Sequence, residues 1–237
     1  MTTPSALVRA LGGHPASERR IDLSGDDGLW CWLLLAVLRQ APEARAEAAF
    51  GALAQAGAVG RATLAAAQPA ELSALALRLE GAGLPKPEKA ALTLVRAART
   101  LQERHGGSLS TLLGEAAGLD ETGRALVGLA PGLGPAVALR FLRGLRGLRG
   151  RSSAADEAPL AAPALAAAAC LGWVDADGDP ESALARLEQR RREDADAPSA
   201  ADLEAALERL GSVACRTPRP GRCPLADACP LRYRQES

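Results

Sequence analysis

The 237 residues are 48% hydrophobic and 24% charged, enough for one large domain or two small ones and too rich in apolar side chains for a disordered chain. Aromatic residues make up only 3%, Ile21 is the single isoleucine and asparagine is absent, whereas alanine and leucine, the best helix formers, fill the sequence. This excludes a β-sandwich or barrel and predicts an all-α protein, and with Lys plus Arg and Asp plus Glu at 28 each, any signal for nucleic acid or membrane must be local.

The longest apolar run, Leu29 to Leu38, is about half of what a membrane span needs, and the N-terminus lacks a cationic, apolar and cleavage-site succession. A cytoplasmic protein is expected. From Gly28 onward, helical periodicity predicts helices near 29–40, 42–55, 61–67, 69–81, 87–105, 110–117, 120–129 and 135–145, each bounded by Gly, Pro, Ser or Asp. Pro42 and Pro87 suit first turns, Asp120 precedes an apolar-periodic stretch, and Gly106-Gly107 stops the long helix. The Arg-Gly-Leu repeats of Arg140 to Arg151 read as a helix fraying into a joint. Beyond them come an alanine-rich helix over 163–171, a turn around 175–180, two charged helices separated by 194–199, and a tail carrying Cys215, Cys223 and Cys229. The expected domains are residues 23–148 and residues 1–22 with 149–237.

The sharpest local signal is Leu129-Ala130-Pro131-Gly132-Leu133-Gly134-Pro135-Ala136-Val137-Ala138, with a predicted helix on each side. Two glycines spaced by one residue allow a tight hairpin to expose backbone N–H groups at the start of the second helix, where the dipole also favours an anion. By themselves the same residues also fit a plain glycine-rich turn between two core helices.

Further segments carry motifs of their own. Leu33-Leu34-Leu35-Ala36-Val37-Leu38 precedes Arg39-Gln40-Ala41, and Gly83-Leu84 precedes Lys89-Ala90 and a helix ending in Gly106-Gly107. Leu171-Gly172-Trp173-Val174 closes the alanine-rich helix, and Pro218 to Cys229 forms a cysteine-bearing loop. In this order, over most of the chain, the sequence resembles the helix-hairpin-helix DNA glycosylase superfamily, specifically endonuclease III. The resemblance implies a six-helix barrel domain with a hairpin near 121–145, a second helical domain built from the N-terminus and the C-terminal part, and DNA held between them.

The same resemblance implies that the catalytic pair is missing. The family's hairpin lysine, which attacks the sugar of a damaged nucleotide, matches Ala136, which has no nucleophile. The family's aspartate matches Ala161, with Asp156 and Glu157 as candidate replacements because the preceding segment is longer here. Gln40 lies one or two residues from the intercalating position, and Pro42 occupies the apparent match. The family's iron–sulfur loop, Cys-x6-Cys-x2-Cys-x5-Cys, becomes Cys215-x7-Cys223-x5-Cys229 with Pro220 at the second ligand position. No cofactor is therefore expected, a degenerate 4Fe–4S site on the three cysteines being the alternative.

Phosphate contacts are expected from Gly132, Leu133 and Gly134 and from two arginine blocks, Arg140, Arg143, Arg146, Arg149 and Arg151, and Arg216, Arg219, Arg222, Arg232 and Arg234. The only lysines, Lys86 and Lys89, read as ordinary surface charges, and His14 and His105 are isolated. The resulting expectation is a monomeric, nucleoid-associated protein that binds double-stranded DNA, damaged or abasic duplex included, without catalysis. Its rivals are an active monofunctional glycosylase and a protein-interaction scaffold that lost DNA binding.

Overall fold

The structure, a computed structural model, describes residues 2–148, 153–175, 178–215, 223 and 225. Among them every regular element is helical. In chain order these are α1 (Pro4–Leu11), α2 (Pro15–Glu18), α3 (Asp26–Leu38), α4 (Glu43–Gln55), α5 (Arg61–Ala66), α6 (Pro69–Gly81) and α7 (Pro87–His105). There follow α8 (Leu109–Glu115), α9 (Gly118–Gly128), α10 (Pro135–Arg143), α11 (Ser153–Glu157), α12 (Ala162–Cys170), α13 (Pro180–Arg192) and α14 (Ala200–Leu210), with a π-helical turn over Gly211–Cys215. None of these helices is long and apolar enough to cross a membrane.

Local chemistry sets the ends of these helices. Proline occupies the first turn of α6, α7, α10, α12 and α13, where its missing N–H costs nothing. The Ser108, Asp179 and Ser199 side chains accept from backbone amides at the starts of α8, α13 and α14. Gly106 ends α7 in the left-handed region. Pro42 stands one place earlier than expected, as the extended residue before α4. Helices α1 and α2 were not legible as periodicity because they span only eight and four residues.

The chain divides into a central unit, Ile21–Ala158, and a terminal unit, Met1–Arg20 with Pro159–Ser237. In the central unit, every residue of α3 from Leu29 to Leu38 except Cys31 is buried. A helix apolar on all sides must be enclosed, and α4, α7, α8 and α10 pack around it. Both of its tryptophans have their N–H satisfied: Trp30 Nε1 donates to the Val59 carbonyl at 2.9 Å and Trp32 Nε1 to the Phe141 carbonyl at 2.8 Å. The unit runs past residue 148, where the expected domain ended, because α11 packs on α9 and α10 and Ala154, Ala155 and Ala158 join the core.

The terminal unit is built on α12, α14, α1 and the π-helical turn. Its core is mostly small: Ala164, Ala167, Ala168 and Ala206 beside Leu7, Leu203, Leu207 and Leu210. The Cα of Gly211 comes so close to α12 that a Cβ would lie 1.8 Å from the Pro163 carbonyl oxygen. The two chain segments are tied by polar bonds as well, the Ser5 amide donating to Asp194 at 2.7 Å and the His14 amide to Asp202 at 2.7 Å.

Asp26, in the first turn of α3, accepts from the Ser110 amide at 2.8 Å and from the Ser108 hydroxyl at 2.9 Å. Burial by itself would raise its pKa, but these hydrogen bonds, with the charge of Arg61, outweigh it and hold the carboxyl below its ordinary 3.8. The stability this group contributes is therefore present above pH 3.8 and lost as pH falls through the lower folded-state value. Asp26→Asn should flatten the acid limb of the stability profile while lowering stability at neutral pH by about 1 kcal/mol, read from urea unfolding at neutral and acid pH.

Candidate functional site

Helices α9 and α10 are joined by a turn in which the Leu133 amide donates to the Ala130 carbonyl at 3.1 Å. Leu129, Ala130, Leu133, Val137 and Ala138 are buried and anchor the turn, whereas Pro131, Pro135 and Ala136 are exposed. Two features demand glycine at 132. Its φ is +105°, which L side chains rarely adopt, and a Cβ there would meet the Thr93 hydroxyl oxygen at 2.4 Å. Thr93 is itself buried on α7, with its hydroxyl 2.8 Å from the Lys89 carbonyl and 3.1 Å from the Pro131 carbonyl. One side chain thus clamps the turn to the long helix.

Gly134 is the extended residue before α10 and places no side-chain cap on it. Its carbonyl accepts from Val137 at 2.9 Å and Ala138 at 3.1 Å, while no hydrogen bond among the described residues engages the amides of Gly132, Gly134 or Ala136. Unsatisfied amides at the start of a helix, added to its dipole, offer donors to an anion. Leu133 differs from the other two hairpin candidates. Its side chain is buried and its amide is spent on Ala130, so it holds the turn and presents no donor.

The first arginine block is not one solvent-facing stripe. Arg140 is half-buried and donates to the Ala36 carbonyl at 3.2 Å, and Arg143 is half-buried on the same helix. Arg146 is 8% exposed and donates to the Ala158 carbonyl, which makes it part of the link between α10 and α11. Arg149 and Arg151 lie outside the described residues, as do Arg216, Arg219, Arg222, Arg232 and Arg234.

At the two positions that the sequence resemblance pairs with catalytic residues, the side chains are methyl groups. Ala136 is exposed in the first turn of α10 of the central unit. Ala161 is 4% exposed in the terminal unit, where its amide donates to the buried Glu204 carboxylate at 3.3 Å at the start of α12. The two candidate replacement acids are exposed and have structural partners: Asp156 accepts from the Gly147 amide at 3.0 Å, and Glu157 accepts from the Leu119 amide at 3.1 Å, capping α9. Neither alanine can act as nucleophile or base.

Cys215, at the end of the π-helical turn, and Cys223 are half-buried and packed against the terminal core. Pro220 and Cys229 fall outside the described residues, among which no three His, Cys, Asp or Glu side chains are grouped to hold a metal ion. His14 is buried with its Nδ1 accepting from the Ala16 amide at 3.3 Å, and His105 Nδ1 lies 3.2 Å from a Glu115 carboxylate oxygen.

Beside Thr93 the central unit opens a cavity of about 250 Å³ between the end of α3 and the start of α7. Lys86, Lys89 and Gln40 line it. Sequence alone gave the lysines no such role, because only the packing of α3 against α7 makes the cavity. Their occurrence as the chain's only two lysines, three residues apart, was the available signal.

No family model matches the chain, and no curated protein matches it in sequence.

The double constraint on Gly132 has a measurable consequence. Gly132→Ala should lower stability by about 1–3 kcal/mol, because it adds left-handed strain to a clash with Thr93, whereas Gly134→Ala should cost less; thermal unfolding of the two variants checks the order.

Proposed function

We propose that this chain is a DNA-binding protein of the helix-hairpin-helix DNA glycosylase superfamily, similar to endonuclease III, with its catalytic positions vacant. The observation that carries the reading is the turn between α9 and α10, where Gly132 has a positive φ, Gly134 is extended and uncapped, and the amides of Gly132, Gly134 and Ala136 have no hydrogen-bond partner among the described residues. Such a turn can grip one phosphate of a DNA backbone without reading its sequence. Arg140 and Arg143 follow on the helix that the turn opens, and Arg149 and the arginines of the C-terminal segment extend the cationic supply.

The chemistry proposed is binding without turnover. An imine with an abasic sugar needs an amine at the hairpin, and Ala136 has none. Asp156 and Glu157 are spent as partners of the Gly147 and Leu119 amides, which supports vacancy over replacement. For a cluster, the donor set of Cys215, Cys223 and Cys229 with Pro220 does not fit a four-thiolate cube. Anaerobically purified protein should hold iron well below cluster stoichiometry and lack broad visible absorption; a full complement of iron and sulfide would overturn this part of the reading.

Fluorescence anisotropy with a duplex bearing an abasic site tests the binding. Affinity should fall steeply with salt, and Arg143→Ala combined with Arg149→Ala should reduce the log–log salt slope by about two. Arg146→Ala should instead act on stability. Absence of DNA binding, or binding indifferent to salt, would sink the proposal. Base release or strand cleavage in single-turnover incubation with oxidised-pyrimidine, mismatched and abasic duplexes would sink the vacancy.

A further inference from the structure

The turn between α9 and α10 closes through Ala130, Pro131, Gly132 and Leu133, with the Leu133 amide donating to the Ala130 carbonyl at 3.1 Å. Proline at its second position and a glycine with φ +105° at its third are the marks of a type II turn. Type I differs from type II chiefly by a rotation of the peptide between those two residues, and glycine at 132 lets the backbone take either form. The residues of the turn therefore leave the orientation of the Pro131–Gly132 peptide open. A group outside the turn must select it.

Thr93 is placed to do so. It is 2% exposed on α7, and its hydroxyl oxygen lies 2.8 Å from the Lys89 carbonyl and 3.1 Å from the Pro131 carbonyl. A hydroxyl has one proton for these two acceptors. The Lys89 carbonyl stands four residues back on the same helix, where the α-helical ladder already serves it. The Pro131 carbonyl accepts from no other group among the described residues. A trans peptide is planar, with its C=O and N–H pointing in opposite directions. Holding the Pro131 carbonyl towards α7 thus turns the Gly132 N–H away from α7, where no hydrogen bond among the described residues engages it. The close approach of Gly132, where a Cβ would meet the Thr93 oxygen at 2.4 Å, keeps the peptide within reach of the hydroxyl.

We propose that Thr93 is a positioning residue, whose hydroxyl selects the orientation of the Pro131–Gly132 peptide in which the Gly132 amide is offered to an anion together with the amides of Gly134 and Ala136. This rests on reading the hairpin as a phosphate grip. Thr93 acts through the peptide and touches no ligand itself. Its contribution is preorganisation: with the peptide held before binding, no rotation is needed when a phosphate arrives. Without the hydroxyl nothing holds the Pro131 carbonyl inward, and rotation of the peptide turns the Gly132 N–H towards α7.

Thr93→Val, which keeps the shape and removes the hydroxyl, and Thr93→Ser, which keeps the hydroxyl and removes a methyl group, separate positioning from packing. Anisotropy of the full chain with a duplex is measured beside the amide resonances of Gly132, Gly134 and Ala136 during titration with inorganic phosphate. Thr93→Val should weaken duplex binding about three- to tenfold, the worth of one hydrogen bond, without changing the log–log salt slope, because no cation is lost. The Gly132 amide should shift with phosphate in the wild type and in Thr93→Ser and stay still in Thr93→Val. A threonine with only a packing role would lower the unfolding temperature in both variants and leave the affinity of the folded protein unchanged. A phosphate response ordered in this way, in a chain that binds no duplex, retains the role of Thr93 and removes the DNA reading. Three results would each overturn the proposal, whatever the salt dependence of duplex binding: wild-type affinity in folded Thr93→Val, Thr93→Ser as weak as Thr93→Val, or a Gly132 amide that ignores phosphate in the wild type.

Discussion

Helix α3 carries leucine, tryptophan, alanine and valine on every side from Leu29 to Leu38, with only Cys31 partly accessible, and the whole central unit is arranged to keep water away from it. Full burial of a leucine or valine side chain is worth about 1.5–3 kcal/mol. Enclosing one helix on all sides requires neighbours from distant parts of the sequence, and α4, α7, α8 and α10 supply them. The polar atoms caught inside are then satisfied individually, as the Trp30 and Trp32 indoles are by the Val59 and Phe141 carbonyls.

The hairpin and the cavity are two outcomes of that enclosure. Once α7 and α10 both lie against α3, the turn before α10 passes close enough to α7 for Thr93 to reach Pro131, and only glycine fits at 132. The end of α3 and the start of α7 meet less tightly, and the gap between them is the cavity that holds Lys86 and Lys89. Thr93 belongs to both places, since it also lines the cavity.

The arginines show why residue type and spacing are insufficient to define a binding face. Arg140, Arg143 and Arg146 recur every three residues, and on a helix that spacing suggests one shared surface. The helix ends at Arg143, however, and the chain then turns, so Arg146 is carried inward to the Ala158 carbonyl. Asp156 and Glu157, candidate replacement acids from sequence, are the acceptors that fasten α11 to Gly147 and Leu119. Glu204 drew no attention as one acid in an alanine-rich helix, yet it is buried against the amide of Ala161.

Composition and punctuation by themselves determined the all-α character and most helix boundaries, because alanine and leucine propensity, proline in first turns and glycine stops act over only a few residues. The glycine pair at 132 and 134 was legible for the same reason: a positive φ and an uncapped helix start are local demands. What the tertiary structure alone decided is which charged groups face water. Arg146 and Glu204 became interior, Asp156 and Glu157 became acceptors for backbone amides, and two lysines read as ordinary surface charges came to share a cavity. Each of those outcomes depends on an element far away in sequence, and burial is a property of the packed set of helices that no single segment encodes.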